Sequence, residues 1–124
     1  MERQYGKVTP EIVAELKTIV GEKNTVFEDK NKLKEYGMDT LSLITGVVAD
    51  PEAAVRPEST EQVSAVLRLA SKHKIPVTAR GAGTGLAGSA IPTCRGIVLS
   101  LEKMNKILEI DPVDRVAVVE AGVI

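Results

Sequence analysis

Aromatic side chains are scarce in this chain of 124 residues, which contains one Phe, two Tyr and no Trp. Few aromatics and a net charge of −1 argue against a nucleic-acid-binding surface. The single cysteine, Cys94, excludes an internal disulfide and is consistent with a reducing compartment. No stretch approaches the roughly 18 consecutive apolar residues of a membrane span. We therefore expect one soluble, cytoplasmic domain whose core of Val, Ile, Leu and Ala suits parallel strands covered by helices.

Helix signals mark the first half of the chain. Thr9-Pro10-Glu11 combines an N-cap residue, a proline at the first helical position and an acid in the first turn, and Gly21 ends the apolar periodicity that follows. A second helix is predicted from Ser59-Thr60-Glu61-Gln62 to about Lys74. Asp29 to Tyr36 reads as a short polar helix.

Extended segments are predicted around and after that second helix. Residues 53–57 end before a proline and read as a short strand, and residues 75–79 and 96–101 are apolar runs. Residues 106–110 and 116–120 alternate and predict half-buried strands paired as a hairpin. The predicted fold is α+β (α/β-like), with a small sheet flanked by helices.

The segment Arg80 to Ser89 has the sequence RGAGTGLAGS and places four glycines directly after a predicted strand. Glycine allows the backbone to adopt positive φ and to approach a ligand closely. Successive N–H groups in such a loop form a concave nest for anions, above all phosphate. A nucleotide or phosphate loop is therefore favoured over a mobile surface loop.

Residues 83–88 match the dinucleotide fingerprint G-x-G-x-x-G, and Glu102 lies near the expected distance for a ribose-binding acid. A Rossmann unit, however, needs a helix of about ten residues after the loop. Only seven residues separate Gly88 from Gly96, and Pro92 would break a helix there. No Gly-Lys-Ser/Thr follows either, which excludes a P-loop.

Four blocks in order resemble the FAD-binding domain of the vanillyl-alcohol oxidase (PCMH) type, in the branch of D-lactate dehydrogenase and the GlcD-type subunit of glycolate oxidase. The blocks are residues 57–63, 75–86, 97–104 and 118–123. The resemblance covers residues 51–124 and implies that they form the first half of such a domain. Residues 1–50 resemble the helical lead-in of that branch.

The resemblance implies that the glycine loop wraps the pyrophosphate of FAD, while Pro57 marks the end of the segment on the adenine side. Ser89 departs from the branch, which often has glycine there, and is expected to be tolerated if its φ is negative. Thr84 stands near the place where some family members carry a flavin-linked histidine, so non-covalent FAD is implied. Arg80 either adds a charge to the site or forms an ion pair within the protein. The implied cofactor contacts are Pro57, Arg80, Gly81, Ala82, Gly83, Thr84, Gly85, Leu86, Gly88 and Ser89.

Other reactive side chains have simpler interpretations. His73 is expected to be a solvated residue at a helix C-terminus, and Cys94 a small side chain without an activating partner. Asp111 and Asp114 look like turn formers, and Glu102 is expected to cap a turn or face solvent. The sequence therefore predicts no catalytic residue and no metal site.

The resemblance implies an N-terminal piece of a flavin-dependent dehydrogenase or oxidase of glycolate or D-lactate, cut near the middle of its FAD domain. The piece itself is expected to be inactive, and to associate with itself through residues 106–123 or with partner subunits. Two alternatives stay open: a non-catalytic module for another phosphorylated ligand, and a scaffold or assembly domain in which the loop is only a turn.

Overall fold

The structure, a computed structural model, describes residues 4–124. Four helices and six strands alternate along these residues, with a single 3₁₀ turn at Glu22–Asn24. The helices are α1 (Pro10–Val20), α2 (Lys30–Glu35), α3 (Thr40–Thr45) and α4 (Thr60–Lys72). The strands are β1 (Thr25–Val26), β2 (Ala53–Val55), β3 (Val77–Arg80), β4 (Ile97–Ser100), β5 (Ile107–Asp111) and β6 (Val116–Val119).

Side-chain caps begin the helices where the sequence predicts them. The Thr9 hydroxyl accepts a hydrogen bond from the Ile12 N–H, and the Ser59 hydroxyl accepts one from the Gln62 N–H. Each cap satisfies an N–H group that the first helical turn leaves free. The predicted helix starts are therefore confirmed. The short polar helix is confirmed as α2, which Asp29 caps.

The main sheet has the strand order β1-β2-β4-β3. Strands β2, β4 and β3 are parallel, and β1 joins the β2 edge in the antiparallel sense. Every residue of β2 and β4 is buried, which is typical of parallel strands covered on both faces. The predicted small sheet flanked by helices is confirmed.

Two hydrophobic clusters lie on opposite faces of this sheet. On one face, α1 and α4 pack against the strand side chains of Val55, Ile97 and Leu99. On the other face, Leu33 and Tyr36 pack with Val26, Ala54 and Val98. The first fifty residues therefore contribute a helix and an edge strand to the same core as residues 51–124. The proposed boundary at residue 50 stays a prediction.

The strands on either side of the glycine loop are parallel, with Val77 opposite Ile97 and Arg80 opposite Ser100. Residues 81–96 make this crossover without a helix, as the positions of Pro92 and Gly96 predict. Gly96 has a φ of +68°, and a Cβ there would collide with the Pro76 carbonyl. The loop is therefore a crossover and not a hairpin.

Strands β5 and β6 form a separate antiparallel hairpin, as predicted. Their predicted half-burial is wrong, because both faces are exposed along almost the whole length. Ile110 is 66% exposed and Val116 is 52% exposed. No element within residues 4–124 covers either face, so alternation alone does not produce a buried side.

Candidate functional site

Three segments meet at one edge of the main sheet, because β2, β4 and β3 are parallel and end on the same side. Pro57 follows β2, Glu102 follows β4 and the glycine loop follows β3. Ligands of open parallel sheets bind outside the carboxyl ends of the strands. The fold thus brings the predicted loop to the edge where a ligand site is expected.

The glycine loop presents a run of unpaired backbone donors. Within residues 4–124, no acceptor receives the backbone N–H of any residue from 81 to 90. Three carbonyls of the same region are used inside the protein: the Arg80 carbonyl accepts from Leu101, that of Gly83 from Thr40, and that of Gly88 from Ile91. The loop therefore keeps carbonyls for its own structure and leaves N–H groups for an anion.

The glycines of the loop fall into two groups. Gly83 and Gly88 have φ of +71° and +75°, where an L side chain is strained. Gly81 and Gly85 have neither a positive φ nor any atom within 4 Å of the position of an added Cβ. Backbone conformation and packing explain the first pair only. The absence of a side chain at Gly81 and Gly85 is explained by close approach of a ligand from the open side.

Arg80 is bound inside the protein. Its Nη1 donates a hydrogen bond of 2.5 Å to the Met38 carbonyl, and its guanidinium lies over the Tyr36 ring, 5.9 Å from the centroid. No carboxylate among residues 4–124 pairs with it, so the predicted internal ion pair is wrong. A carbonyl and an aromatic face hold the guanidinium instead, leaving its positive charge beneath the loop.

Glu102 joins α2 to the ends of two strands. The Tyr36 hydroxyl donates to Glu102 Oε1 at 3.3 Å, the Ser100 hydroxyl donates to Oε2 at 3.1 Å, and Arg56 Nη1 lies 3.4 Å from Oε1. Burial raises the pKa of Tyr36 to about 12, and the Glu102 carboxylate adds to the rise. The expectation that Glu102 merely caps a turn or faces solvent is therefore wrong.

A cleft of about 180 Å³ opens between Glu102 and the start of the glycine loop. Gly81 and Ala82 line one side, and Asn105 and Gly122 line the other. The cleft combines open glycine backbone with one acceptor side chain. This combination of unpaired N–H groups and uncrowded backbone fits a diphosphate bound along the loop.

The predicted contact residues are not equally accessible. Gly81, Ala82, Thr84, Gly85, Leu86 and Ser89 are exposed, and Gly83 and Gly88 are partly so. Ser89 does not have a positive φ, which is the condition for tolerating it in the loop. Pro57 is fully buried and offers no surface to a ligand, so its contact stays a prediction.

The site has neighbours that no short motif indicates. Tyr36, Met38 and Thr40 touch Arg80 or Gly83, although about 40 residues separate them in sequence. The only sequence signal is indirect: Asp39 and Ser42 form a capping box that begins α3 beside the loop.

The remaining reactive side chains lie away from the loop. His73 is exposed at the C-cap of α4, next to the start of β3 and thus at the opposite edge of the sheet. Cys94 is an exposed free thiol. The Asp111 carboxylate accepts hydrogen bonds from the N–H groups of Val113 and Asp114, which confirms Asp111 as a turn former. Residues 4–124 contain no metal-ligating cluster and no helix long and apolar enough to cross a membrane.

Comparison with known proteins identifies the class that this fold and loop define. The family model described as "FAD binding domain" matches residues 51–124. The chain belongs to this family, and its cofactor is FAD. The structure is similar to that of p-cresol methylhydroxylase with bound substrate, with a TM-score of 0.76 and 35% identity over 94% of this chain and 23% of that one. The predicted PCMH-type fold is confirmed.

Two curated relatives place the chain within the family more closely. It is 40% identical to D-lactate dehydrogenase of Anaerostipes hadrus over 99% of this chain and 25% of that protein. It is 35% identical to glycolate oxidase subunit GlcD of Bacillus subtilis over 94% of this chain and 24% of that protein. The predicted resemblance is confirmed. The chain spans about a quarter of the length of these relatives.

Proposed function

We propose that the glycine loop binds the pyrophosphate of FAD through its backbone N–H groups. The single observation that carries this proposal is the unbroken run of unpaired amides from Gly81 to Ala90, at the carboxyl edge of a parallel sheet. The proposed contacts are those predicted from the sequence: Pro57, Arg80, Gly81, Ala82, Gly83, Thr84, Gly85, Leu86, Gly88 and Ser89.

The electrostatics support a diphosphate held without many cations. Hydrogen bonds from N–H groups to ionised oxygens are roughly twice as strong as neutral ones, so several amides together can neutralise two phosphate charges. The Thr84 side chain is exposed and adds a hydroxyl donor. Arg80 contributes positive potential from below the loop while its Nη1 stays on the Met38 carbonyl.

We propose non-covalent attachment of the flavin. Residues 81–90 contain no histidine, cysteine or tyrosine to which a flavin could be linked. Acid precipitation of the FAD-loaded protein should leave all of the flavin in the supernatant. Flavin that stays with the precipitated chain would contradict non-covalent binding.

For the whole protein we propose a cytoplasmic dehydrogenase or oxidase acting on a 2-hydroxy acid, either glycolate or D-lactate. The names of two relatives that match most of this chain support that substrate class. FAD supplies the two-electron acceptor for such an oxidation. Substrate binding also needs a cation for the carboxylate and a base for the hydroxyl proton, and His73 lies at the wrong edge of the sheet for this purpose. We assign no catalytic residue within this chain.

Equilibrium dialysis of the chain against FAD tests the cofactor site, with ATP and NAD as competitors. We expect FAD to bind selectively but with a dissociation constant above the micromolar range, and no turnover of glycolate or D-lactate. Preference for ATP or NAD would favour a general nucleotide module. Micromolar or tighter FAD binding would show that this segment holds more of the site than we propose.

A paired substitution separates the binding loop from a simple turn. Replacing both Gly83 and Gly85 with Val should abolish FAD binding, because Gly83 has a positive φ and Gly85 faces the open side of the loop. Unchanged binding in that variant would favour a scaffold or assembly domain.

A further inference from the structure

The glycine loop rests on a segment that lies outside the matched domain. We call residues 36–41, between α2 and α3, the floor segment. The Thr40 N–H donates to the Gly83 carbonyl at 3.1 Å, and Arg80 Nη1 donates to the Met38 carbonyl at 2.5 Å. Leu41 Cδ2 lies 3.2 Å from the position that a Cβ of Gly88 would occupy. The floor segment therefore contacts the loop near its beginning and near its end.

The floor segment is itself firmly held. Asp39 is buried and exchanges two hydrogen bonds with Ser42 in the capping box of α3. The Tyr36 ring is buried against the sheet, and its hydroxyl donates to Glu102. The Gly37 carbonyl accepts from the Ala49 N–H, which ties the segment to the chain after α3. Such a segment can position a loop that has no hydrogen bonds among its own first amides.

Gly83 and Arg80 fit together only because Gly83 lacks a side chain. A Cβ on Gly83 would lie 2.6 Å from Arg80 Cζ, closer than the 3.0 Å that real Cβ contacts respect. A free arginine side chain could move away. Arg80 is held by the Met38 carbonyl and the Tyr36 ring, so its displacement would break both contacts.

We propose that Arg80 and the floor segment are positioning elements that set the conformation of the FAD loop, and that Arg80 is not itself a phosphate ligand. This inference rests on the proposed pyrophosphate site. By holding the Gly83 carbonyl and the Arg80 guanidinium on the protein side, the floor segment turns the neighbouring N–H groups outward. Residues before position 51 would then determine the affinity of a site that the domain match places after it.

Thr40 allows a backbone hydrogen bond to be removed with little other change. Thr40 is the first residue of α3, a position where proline is favoured in helices. The preceding Asp39 has φ of −137° and ψ of −167°, an extended conformation that suits a residue before proline. Thr40→Pro deletes the N–H that Gly83 accepts, while Thr40→Ala removes only the side chain and serves as the matched control.

The first measurement compares the FAD affinity of these two variants by equilibrium dialysis. We expect Thr40→Pro to bind FAD roughly three- to tenfold more weakly than Thr40→Ala, the usual effect of losing one neutral hydrogen bond. Equal dissociation constants for the two variants would overturn the positioning role of the floor segment.

The second measurement is a thermal double-mutant cycle on the chain without FAD. We expect Gly83→Ala to lower Tm by about 8 °C in the wild type but by only about 4 °C in an Arg80→Ala background, where positive-φ strain remains but the collision is gone. Gly88→Ala is the control, since its φ is also positive but it has no contact with Arg80. Its effect on Tm should be the same in both backgrounds.

The two measurements fail differently from the proposed function. If the wild type binds no FAD, the proposed site is wrong, while the Tm cycle still reports on the contact between Arg80 and Gly83. Additive effects of Gly83→Ala and Arg80→Ala on Tm would overturn the inference even if FAD binds. Should Arg80→Ala not fold, the comparison at Thr40 still decides the question.

Discussion

Gly85→Ala should separate the affinity of this chain for FAD from its stability. Gly85 has no positive φ, and an added Cβ would meet no atom within 4 Å. Replacing a glycine by alanine in a compatible conformation stabilises a protein by roughly 0.4–1 kcal/mol, because the unfolded chain loses conformational freedom. The chain without FAD should therefore be as stable as the wild type or slightly more so.

FAD binding should respond in the opposite direction. If the pyrophosphate lies against the open side of Gly85, a methyl group there displaces it and weakens at least one hydrogen bond to an ionised oxygen. Such a bond contributes roughly 1.5–3 kcal/mol. With about 1.4 kcal/mol for each factor of ten, we expect roughly a ten- to hundredfold increase in the dissociation constant.

Equilibrium dialysis up to millimolar FAD and thermal unfolding without FAD measure the two effects on the same preparations. Gly21→Ala is a suitable control, because Gly21 ends α1 with a φ of +92° and lies away from the loop. That variant should lose roughly 1–2 kcal/mol of stability and keep its FAD affinity. Unchanged FAD affinity in Gly85→Ala would refute ligand approach as the reason why Gly81 and Gly85 lack side chains.

Other predictions concern the core, the titration of one tyrosine and the exposed hairpin. Leu16→Ala should lower the free energy of unfolding in urea by roughly 2–5 kcal/mol, because Leu16 is fully buried, whereas Leu43→Ala, at a 78% exposed position, should change it by less than about 0.5 kcal/mol. The pKa of Tyr36 is about 12 in the folded chain, against an ordinary value of 10.0, so the folded state holds this proton more tightly. The associated stability is present below pH 10 and is lost between pH 10 and 12, so Tyr36→Phe should reduce the fall in unfolding free energy over that range; an equal fall in both proteins would contradict this. Self-association through residues 106–123 should appear as a mass above the monomer in size exclusion with light scattering, and Ile110→Lys should reduce it; a monomeric wild type with a cooperative melt would count against it.

Local chemistry explains why much of the fold could be predicted from the sequence. Thr9 and Ser59 cap their helices through bonds that span three residues, so the signal and its effect lie in one short segment. The hairpin is predicted by alternation on either side of the turn that Asp111 forms. The glycine loop is recognised because no helix could form before β4.

Long-range contacts explain what could not be predicted. Strand β1 has only two residues and exists because it pairs with β2, which no local pattern shows. Tyr36 and Glu102 meet across 66 positions of sequence, and Arg80 and Met38 across 42. Exposure of the hairpin faces likewise depends on whether another element covers them, which alternation does not report. The sequence therefore indicates where the FAD loop lies but not what supports it.

A crystal structure of the chain with FAD tests the central claim most directly. We predict that phosphate oxygens lie within about 3.2 Å of backbone nitrogens between Gly81 and Ser89, with the Arg80 guanidinium still on the Met38 carbonyl. A complex in which this loop contacts no phosphate and the flavin nucleotide lies elsewhere on the chain would contradict the account.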